Sequence, residues 1–411
     1  MKVLINAYAC CPNMGSEPGM AWNWCLNLAK ECELYIITEG EFKEQLENAV
    51  KKVPQGHRMH FYFNPVTPKI RKMCWNQGDW RFYKYYREWQ LKTEKIAKSI
   101  CEKEKIDIIH QLNMIGFREP GYLWRVSQGM RIPFIWGPVD AKEKFPVSYL
   151  EGAKLKDQIT LRLKNVITGL QLRFSTRVRK AVLTANCVLS ASSNSQQSFK
   201  KYFNIDTTIL NETGCNVISF DKTRKDKDTF DILWVGKMDF RKKLDIAIRS
   251  IYESGLSDVC LHIIGNGDNS KYQKLAKSLN IQNQCKWYGV VSHSEVQKIM
   301  RQSDLLLFTS VAEGTPHVVL EAIANSLPVV CHNTCGHGDC VNEDVGIKVM
   351  LSTPEKSISE FSNAIKKLHS DRILLQNLSE KCVSRAKELS WNRKTAELMC
   401  IYNKIIKKSN P

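Results

Sequence analysis

The most constraining feature of the sequence is a short apolar run followed by two carboxylates. Leu305–Phe308 is apolar and is followed by small polar residues, which predicts a buried strand. Gly314 and Pro316 then break the chain, and apolar residues at helical spacing follow, which predicts a strand, a tight loop and a helix. Glu313 falls in the loop and Glu321 in the helix. Amide groups at a helix start can bind phosphate oxygens, and a carboxylate can accept hydrogen bonds from two adjacent hydroxyls, so the stretch predicts a ligand site.

The length of the chain predicts two domains. A chain of 411 residues is long for one core and sufficient for two, and 43% hydrophobic residues is typical of a globular protein. No apolar run approaches the roughly 20 residues that a membrane span requires. The 15 cysteines are odd in number and scattered, which favours reduced, buried thiols. Because the N-terminus resembles a first strand rather than a signal peptide, we expect a cytoplasmic protein.

The net charge of +18 is concentrated in two segments of the first half. Val66–Lys105 holds 11 basic against 5 acidic residues, and Ala141–Lys180 holds 10 against 3. The first segment is also rich in aromatic residues. Basic and aromatic residues together indicate an anionic partner such as a bilayer surface, a lipid-linked phosphate or a nucleic acid, whereas solvated helix faces are the alternative. Within the second segment, Asp157–Ala185 predicts one long helix with an apolar stripe and a basic face.

Strands alternate with helices along the first half, which predicts a parallel sheet. Strands are predicted at Leu34–Thr38, Met59–Phe63, Ile106–Ile109 and Phe134–Trp136. His110 directly follows the third of these strands, and ligands bind at the carboxyl ends of strands in such sheets. The sequence therefore makes His110 a candidate active-site residue.

Two further loops have the composition of anion sites. Gly15 lies between the first strand and the first helix, an arrangement that binds phosphate in doubly wound sheets. Gly236 ends a later strand, and Lys237 and Lys242 follow it beside a predicted helix start, where two cations would stabilise a departing diphosphate. By contrast, the His and Cys residues of 332–340 lack a CxxC pair, so we expect no metal site there.

Several of these motifs resemble those of one enzyme family. The run E-G-T-P-x-x-x-x-E-A from Glu313 resembles the E-x7-E signature of retaining glycosyltransferases of the GT-B fold, especially glycosyltransferase family 4. The segments G-S-E-P-G-M-A-W from Gly15, G-K-M-D-F-R-K-K from Gly236, I-I-G-N-G around Gly265 and Y-G-V-V ending at Val291 resemble further family motifs. Lys243 departs from the pattern because it stands where the family usually has glycine.

The resemblance implies an α/β architecture of two Rossmann-like doubly wound parallel-sheet domains facing a cleft. Residues 1–205 would form an acceptor-binding domain and residues 206–388 a nucleotide-sugar-binding domain. Residues 389–411 would form a helix that packs back on the first domain. A charged linker is expected at 222–228.

The resemblance also implies roles for individual residues. Glu321 would bind the ribose, and Glu313 with Gly314, Thr315 and Pro316 would hold the donor sugar. Lys237 and Lys242 would neutralise the β-phosphate. The remaining donor contacts would come from Gly15, Gly236, Gly265, Val290 and Val291. The catalytic candidates are Lys242, Glu313 and His110.

The expected activity is metal-independent, retaining transfer of a sugar from a nucleotide-sugar donor to a glycan or lipid-linked acceptor. Bacterial surface polysaccharide or lipopolysaccharide synthesis is the expected context, with a protein that is cytoplasmic or peripheral on the inner face of the plasma membrane. No cofactor and no nucleic-acid partner are expected. A nucleotide-sugar 2-epimerase, a glycogen- or sucrose-type synthase and a basic nucleic-acid-binding protein remain the alternatives.

Overall fold

A computed structural model describes residues 1–76, 79–141, 144–217 and 228–409. The chain divides into two compact units. The first comprises Met1–Glu143, Thr168–Thr213 and Trp391–Pro411, and the second comprises Lys144–Ile167 and Gly214–Ser390. Residues 222–227 of the predicted linker lie outside the described residues.

The first unit is built on a seven-stranded parallel sheet. Its strands are β1 Lys2–Ala7, β2 Glu33–Thr38, β3 Met59–Phe63, β4 Ile108–Asn113, β5 Phe134–Val139, β6 Cys187–Ser190 and β7 Thr208–Ile209. The spatial order is β3-β2-β1-β4-β5-β6-β7. The helices are α1 Ser16–Leu28, α2 Lys43–Val50, α3 Pro68–Trp75, α4 Phe82–Lys103, α5 Leu123–Met130, α6 Leu155–Phe174, α7 Thr176–Thr184 and α8 Ser193–Phe203, of which α6 begins in the second unit.

The second unit repeats this design with a six-stranded parallel sheet. Its strands are β8 Phe230–Val235, β9 Val259–Ile264, β10 Cys285–Gly289, β11 Leu305–Phe308, β12 Val329–His332 and β13 Gly346–Val349, in the order β10-β9-β8-β11-β12-β13. The helices are α9 Leu244–Ser254, α10 Ser270–Ser278, α11 His293–Gln302, α12 His317–Ala324, α13 Cys335–Cys340, α14 Pro354–Ser370 and α15 Arg372–Glu388. The last helix, α16 Trp391–Ser409, belongs to the first unit.

Both sheets are apolar on both faces, as parallel sheets covered by helices must be. In β1, Val3 and Ile5 pack into one core cluster and Leu4 into another, because successive side chains of a strand point to opposite faces. In β8, Ile232 and Leu233 divide in the same way. This explains why the strands read as nearly continuous apolar runs in the sequence.

The last helix packs on the sheet of the first unit. Trp391, Leu398 and Tyr402 join the core cluster that contains β1 and α1. The Trp391 ring meets the Trp24 ring edge-on, with 5.5 Å between centroids. This is the segment that the sequence predicted would pack back on the first domain.

Residues 144–167 belong to the second unit, contrary to the predicted boundary at 205. Tyr149 is fully buried there, and its hydroxyl lies 2.6 Å from Ser357 Oγ of α14. The Phe145 ring packs 6.0 Å from the Phe240 ring. The segment therefore contributes side chains to a core that is formed mainly by residues much later in the chain.

The long helix predicted at Asp157–Ala185 is two helices. Ser175 is the N-cap of α7, and its side chain accepts a hydrogen bond from the Val178 amide. Such a cap satisfies an amide that a new helix leaves unpaired and so favours a break. On α6 the buried side chains are Thr168 and Leu172, which lie outside the predicted apolar stripe. Along the described residues, no helix has both the length and the apolar character needed to cross a membrane.

Candidate functional site

The carboxyl ends of β8, β9 and β10 form one closely packed edge of the second sheet. The Gly265 amide donates a hydrogen bond to Gly289 O at 2.8 Å, and the Gly236 amide donates to Ile264 O at 3.0 Å. A Cβ atom on Gly265 would lie 1.7 Å from Gly236 O, so no larger residue fits. The structure thus brings the predicted residues Gly236 and Gly265 into direct contact.

A lysine and a glutamate from two loops form an ion pair at this edge. Lys242 Nζ lies 2.7 Å from Glu313 Oε1, and the two side chains retain 20% and 21% of their exposure. Ser310 Oγ donates a hydrogen bond to the same carboxylate oxygen at 2.8 Å. Lys242 Nζ also lies 5.5 Å from the centroid of the Phe308 ring. The ammonium therefore contacts Glu313 and Phe308 at the end of β11, and Ser310 orients the glutamate.

Hydrogen bonds to two backbone carbonyls fix the two loops against each other. Thr309 Oγ1 donates to Lys242 O at 2.9 Å, and the Val311 amide donates to Arg241 O at 3.0 Å. These bonds do not involve the Lys242 side chain. We therefore expect the loop to keep its conformation when that side chain is shortened.

The backbone conformation of Lys243 explains why a glycine is usual at this position. Its φ of 52° and ψ of 47° lie in the left-handed region, which favours glycine. The side chain is 2% exposed, and its Nζ donates a hydrogen bond to Glu151 O at 3.2 Å. Burial lowers the pKa of the Lys243 ammonium. The lysine thus serves as an internal anchor for the 144–167 segment and is not part of the charged pair.

Glu321 lies one turn into α12 and is partly exposed. Its Oε1 is 3.2 Å from Nε2 of His293, the first residue of α11. This contact joins Glu321 to the loop after β10, which carries the predicted donor residues Val290 and Val291. Burial lowers the pKa of His317, and the Glu321 carboxylate opposes that shift.

The loop that holds Gly314, Thr315 and Pro316 packs against the start of α13. The Gly336 amide donates a hydrogen bond to Gly314 O at 3.2 Å. A Cβ on Gly336 would lie 2.5 Å from Thr315 Oγ1, which requires a glycine at this approach. Thr315 and Pro316 are buried, so this side of the loop is fixed by packing.

The histidines of 332–340 are packing residues. His332 Nε2 lies 2.9 Å from Ser357 Oγ, and its Nδ1 lies 3.3 Å from Ser310 O. The His337 ring packs edge-on against Phe308, with 5.1 Å between centroids. Both rings support the loops described above, and neither belongs to a three-ligand grouping among the described residues.

Of three further predicted residues, Lys237 belongs to the second unit and Gly15 and His110 belong to the first. Lys237 is in the same loop as Lys242 but is exposed. Gly15 is exposed at the N-cap of α1, and the next carboxylate, Glu17, accepts a hydrogen bond from the Ile115 amide at 3.0 Å. Burial raises the pKa of Glu17 to about 7, a shift that no local sequence pattern predicts.

The geometry of His110 does not support the predicted active-site role. Strand β4 continues to Asn113, so His110 lies inside the strand and not at its carboxyl end. The ring is fully buried, with Nδ1 2.6 Å from the Tyr402 hydroxyl and Nε2 2.7 Å from Gly137 O. Both ring nitrogens are thus occupied by protein groups. A carbonyl can only accept, so Nε2 carries the proton and Nδ1 accepts from Tyr402.

We expect the His110 ring to titrate far below the usual histidine range. Burial lowers its pKa to about 4, from an ordinary value of 6.5. Its neutral form therefore stabilises the fold fully above about pH 6.5, and this stabilisation is lost as the pH falls towards 4. The measurement is an NMR titration of the histidine ring signals, with His110 assigned by its absence from a His110→Asn spectrum. A midpoint near 6.5 would contradict the buried, doubly bonded ring.

The sequence of the second unit matches a known family. Residues 218–389 match the family described as glycosyl transferases group 1. This stretch is a group 1 glycosyltransferase domain. It contains every residue of the Lys242 and Glu313 loops and Glu321. The Escherichia coli (strain K12) lipopolysaccharide glucosyltransferase WaaG is 30% identical over 126 residues, which cover 30% of this chain and 33% of WaaG. The chain matches the curated relatives over about a third of their own length.

Solved structures extend the likeness to the whole fold. The lipopolysaccharide outer core galactosyltransferase WaaB in its apo form superposes with a TM-score of 0.67 at 15% identity, covering 99% of both chains. Anabaena HepE in complex with UDP-glucose superposes with a TM-score of 0.57 at 15% identity, covering 97% of this chain and 99% of HepE. With its two parallel-sheet units, the chain has the GT-B fold.

Three contacts at this candidate site were not predicted from the sequence. They come from Ser310, His293 and Gly336, which contact Glu313, Glu321 and the Gly314 loop respectively. Ser310 lies two residues after the strand end that the sequence identified, so a small hydroxyl residue near Glu313 was the available signal. His293 and Gly336 are distant in sequence from their partners and carried no such signal.

Proposed function

We propose that the protein is a retaining glycosyltransferase that moves a sugar from a nucleotide-sugar donor to a glycan or lipid-linked acceptor. The observation that carries the proposal is the Lys242–Glu313 ion pair at the carboxyl edge of the second sheet, within the residues that match group 1 glycosyl transferases. Ligands bind at this edge in open parallel sheets. Glu321 lies on the helix that follows the same loop.

Each residue has a chemical role in this proposal. The Glu321 carboxylate accepts hydrogen bonds from the two ribose hydroxyls, and Glu313 with the loop amides binds the sugar hydroxyls. Lys242 exchanges Glu313 for the diphosphate, where its ammonium stabilises the negative charge that develops as the sugar–oxygen bond breaks. Lys237 adds a second, more exposed cation.

The proposed reaction needs no protein nucleophile. The acceptor hydroxyl oxygen bonds to the anomeric carbon on the face that the diphosphate leaves, while the bond from that carbon to the phosphate oxygen breaks. The hydroxyl proton passes to the leaving phosphate, giving a glycoside of retained configuration and a nucleoside diphosphate. Because the two lysines supply the positive charge, we propose that transfer requires no metal ion.

The experiment that tests this proposal is a thermal-shift panel of UDP-, GDP- and ADP-sugars, followed by incubation with the donor that binds. Specific binding raises the melting temperature, and the stabilisation grows with the logarithm of the ligand concentration relative to Kd. UDP-sugars are the expected class, since HepE is similar in fold and its structure contains UDP-glucose. Release of the nucleoside diphosphate supports transfer or hydrolysis. Formation of an epimer from donor alone, or no binding to any donor, contradicts the proposal.

The acceptor is proposed to belong to a bacterial surface polysaccharide or lipopolysaccharide. The support comes from WaaG, which carries the name of a lipopolysaccharide glucosyltransferase and is 30% identical over 126 residues. A lipid-linked acceptor requires the enzyme to work at a bilayer. Helix α6 has an exposed apolar surface that could bind a bilayer.

Helix α6 carries a continuous apolar surface that faces solvent. Seven large apolar side chains on this helix are between 50% and 72% exposed, namely Leu155, Ile159, Leu163, Val166, Ile167, Leu170 and Phe174. Exposed basic residues accompany them, namely Lys156, Arg162 and Arg173. Apolar exposure on this scale marks an interaction surface, and basic flanks favour an anionic bilayer. We therefore propose that α6 lies on the anionic inner face of a membrane. By contrast, Phe82, Tyr86 and Trp89 of the aromatic segment are core residues.

Removing apolar side chains from α6 should release the protein from anionic vesicles. Burying one Leu or Val side chain contributes roughly 1.5–3 kcal/mol, so even partial insertion predicts a loss of at least about 100-fold for Leu163→Ser, Val166→Ser and Leu170→Ser combined. The measurement is co-sedimentation with phosphatidylglycerol-containing vesicles, with pure phosphatidylcholine vesicles for comparison. Ile373→Ser, at an equally exposed apolar site on α15, is the matched control and should bind normally. Undiminished binding of the triple variant, or a change only in its oligomeric state, would contradict the proposal.

A further inference from the structure

A histidine, a cysteine and an aspartate meet on the second sheet, outside the site described above. Asp231 lies near the start of β8, and Cys260 and His262 lie on β9. One potential ligand atom from each residue lies within 4.8 Å of the other two. Within the described ranges, these residues form the one group of three His, Cys, Asp or Glu side chains that are close enough to hold a metal ion.

The sheet itself fixes the positions of these residues. Asp231 and Cys260 are directly paired in the parallel register, and His262 is two residues further along β9. The side chains of Phe230, Ile232 and Leu261 enter the core on the opposite face. Because alternation is strict in a strand, the three candidate ligands share one face and cannot be displaced without shifting the register.

Hydrogen bonds orient the imidazole as a metal ligand requires. The Nδ1 atom of His262 lies 2.8 Å from the Tyr288 hydroxyl, and Nε2 lies 3.0 Å from Asp231 Oδ1. Thr229 Oγ1 donates to the same carboxylate oxygen at 3.3 Å. A metal-bound histidine almost always uses its second ring nitrogen for such an outer hydrogen bond. Because the Asp231 carboxylate can only accept, Nε2 donates its proton to Asp231 in the metal-free protein. A bound ion would take the place of that proton between Nε2 and Asp231, with Nδ1–H donated to Tyr288.

The chemistry and burial of the three side chains select the kind of ion. Thiolate, imidazole and carboxylate together form a donor set for zinc and are unsuited to magnesium or calcium, which prefer oxygen ligands. Cys260 is 6% exposed, whereas Asp231 and His262 are partly exposed. A fourth position would therefore be open to water. Lys286 pairs in register with His262, but its side chain is exposed to solvent.

We propose that Asp231, Cys260 and His262 bind one divalent ion of the zinc class. The ion would cross-link β8 and β9 near the start of β8, away from the carboxyl edge that carries Lys242 and Glu321. Binding releases the proton of the Cys260 thiol, since the thiolate is the ligand. The site is independent of the proposed donor chemistry and would act on the stability of the second sheet.

The test is a cobalt titration of the full-length, chelator-treated protein under reducing conditions. A thiolate–cobalt charge-transfer band in the near ultraviolet, saturating at one equivalent and displaced by zinc, is the expected result. The band should vanish in Cys260→Ser and persist in Cys285→Ala, a matched control on β10 whose side chain lies on the opposite face. Tyr288→Phe should weaken cobalt binding roughly 10- to 100-fold, because it removes only the outer hydrogen bond.

Three results would overturn the proposal. They are the absence of a stoichiometric band, a band that survives Cys260→Ser, and a band that is lost only when a cysteine outside β9 is replaced. Cys260 is buried, at 6% exposure, so its substitution could disturb folding. His262→Gln, judged by the same spectrum with circular dichroism as a check of folding, provides a second variant. A folded His262→Gln protein with unchanged affinity also refutes the site.

Discussion

Replacing Lys242 with alanine should lower kcat by about 10²- to 10³-fold while the fold remains intact, since removing a preorganised group that meets developing charge typically has this effect. The ammonium is mostly withdrawn from solvent and has one carboxylate partner, Glu313. A charge in such surroundings interacts more strongly with a leaving diphosphate than it would in water. The hydrogen bonds that Thr309 Oγ1 and the Val311 amide donate to backbone carbonyls hold the loop, and they do not involve the Lys242 side chain.

The measurement is steady-state kinetics on purified Lys242→Ala, with the melting temperature as the check of folding. Lys242→Arg should retain part of the activity because it keeps the charge. Arg241→Ala is the neighbouring control, since Arg241 is already paired with Asp239 at 2.9 Å. Near-normal turnover of Lys242→Ala would remove the lysine from the mechanism. A strong loss of activity in Arg241→Ala alone would show that the role belongs to Arg241 and not to Lys242.

Replacing Glu321 with alanine should raise the donor KM by roughly 10- to 100-fold and change kcat less. The predicted contact is a charged acceptor shared by two ribose hydroxyls, and a hydrogen bond to a charged group contributes about 1.5–3 kcal/mol, where 1.4 kcal/mol is tenfold. The ribose does not change charge during transfer. Its contacts therefore stabilise the bound substrate and the transition state to a similar extent. Losing them raises KM and leaves kcat nearly unchanged.

His293→Ala is the matched variant for Glu321. It removes the side chain that Glu321 contacts at 3.2 Å while keeping the carboxylate. We expect a much smaller change in KM, because His293 is exposed and positions the carboxylate only from one side. Donor affinity that is unchanged in Glu321→Ala, measured by calorimetry, would refute the ribose role.

The sequence predicted the fold class and the central strand well, because local patterns decide both. The strand Leu305–Phe308 has the bounds that the sequence implied, since an apolar run bounded by small residues has no other stable place than the middle of a sheet. Strand β3 also has its predicted bounds, Met59–Phe63, although it lies at the edge of its sheet. For helix α6 the predicted buried side was wrong. The helix carries apolar residues on two sides, and periodicity alone cannot tell which side is buried.

Long-range pairing explains the remaining differences. His110 looked like a strand-end residue, but β4 continues for three more residues and its ring meets Tyr402, almost 300 positions later. Lys144–Ile167 joined the second unit through contacts such as Tyr149 with Ser357. Lys242 and Glu313 were each singled out by local motifs. Their direct ion pair depends on how β8 and β11 pair, which no local pattern specifies.

A crystal structure of the protein with a bound UDP-sugar tests the central claim most directly. The account predicts the ribose hydroxyls within hydrogen-bond distance of the Glu321 carboxylate and the diphosphate against Lys242 Nζ, with Glu313 turned to the sugar. A nucleotide that binds with full occupancy elsewhere, leaving the Lys242–Glu313 pair as it stands without ligand, would contradict it.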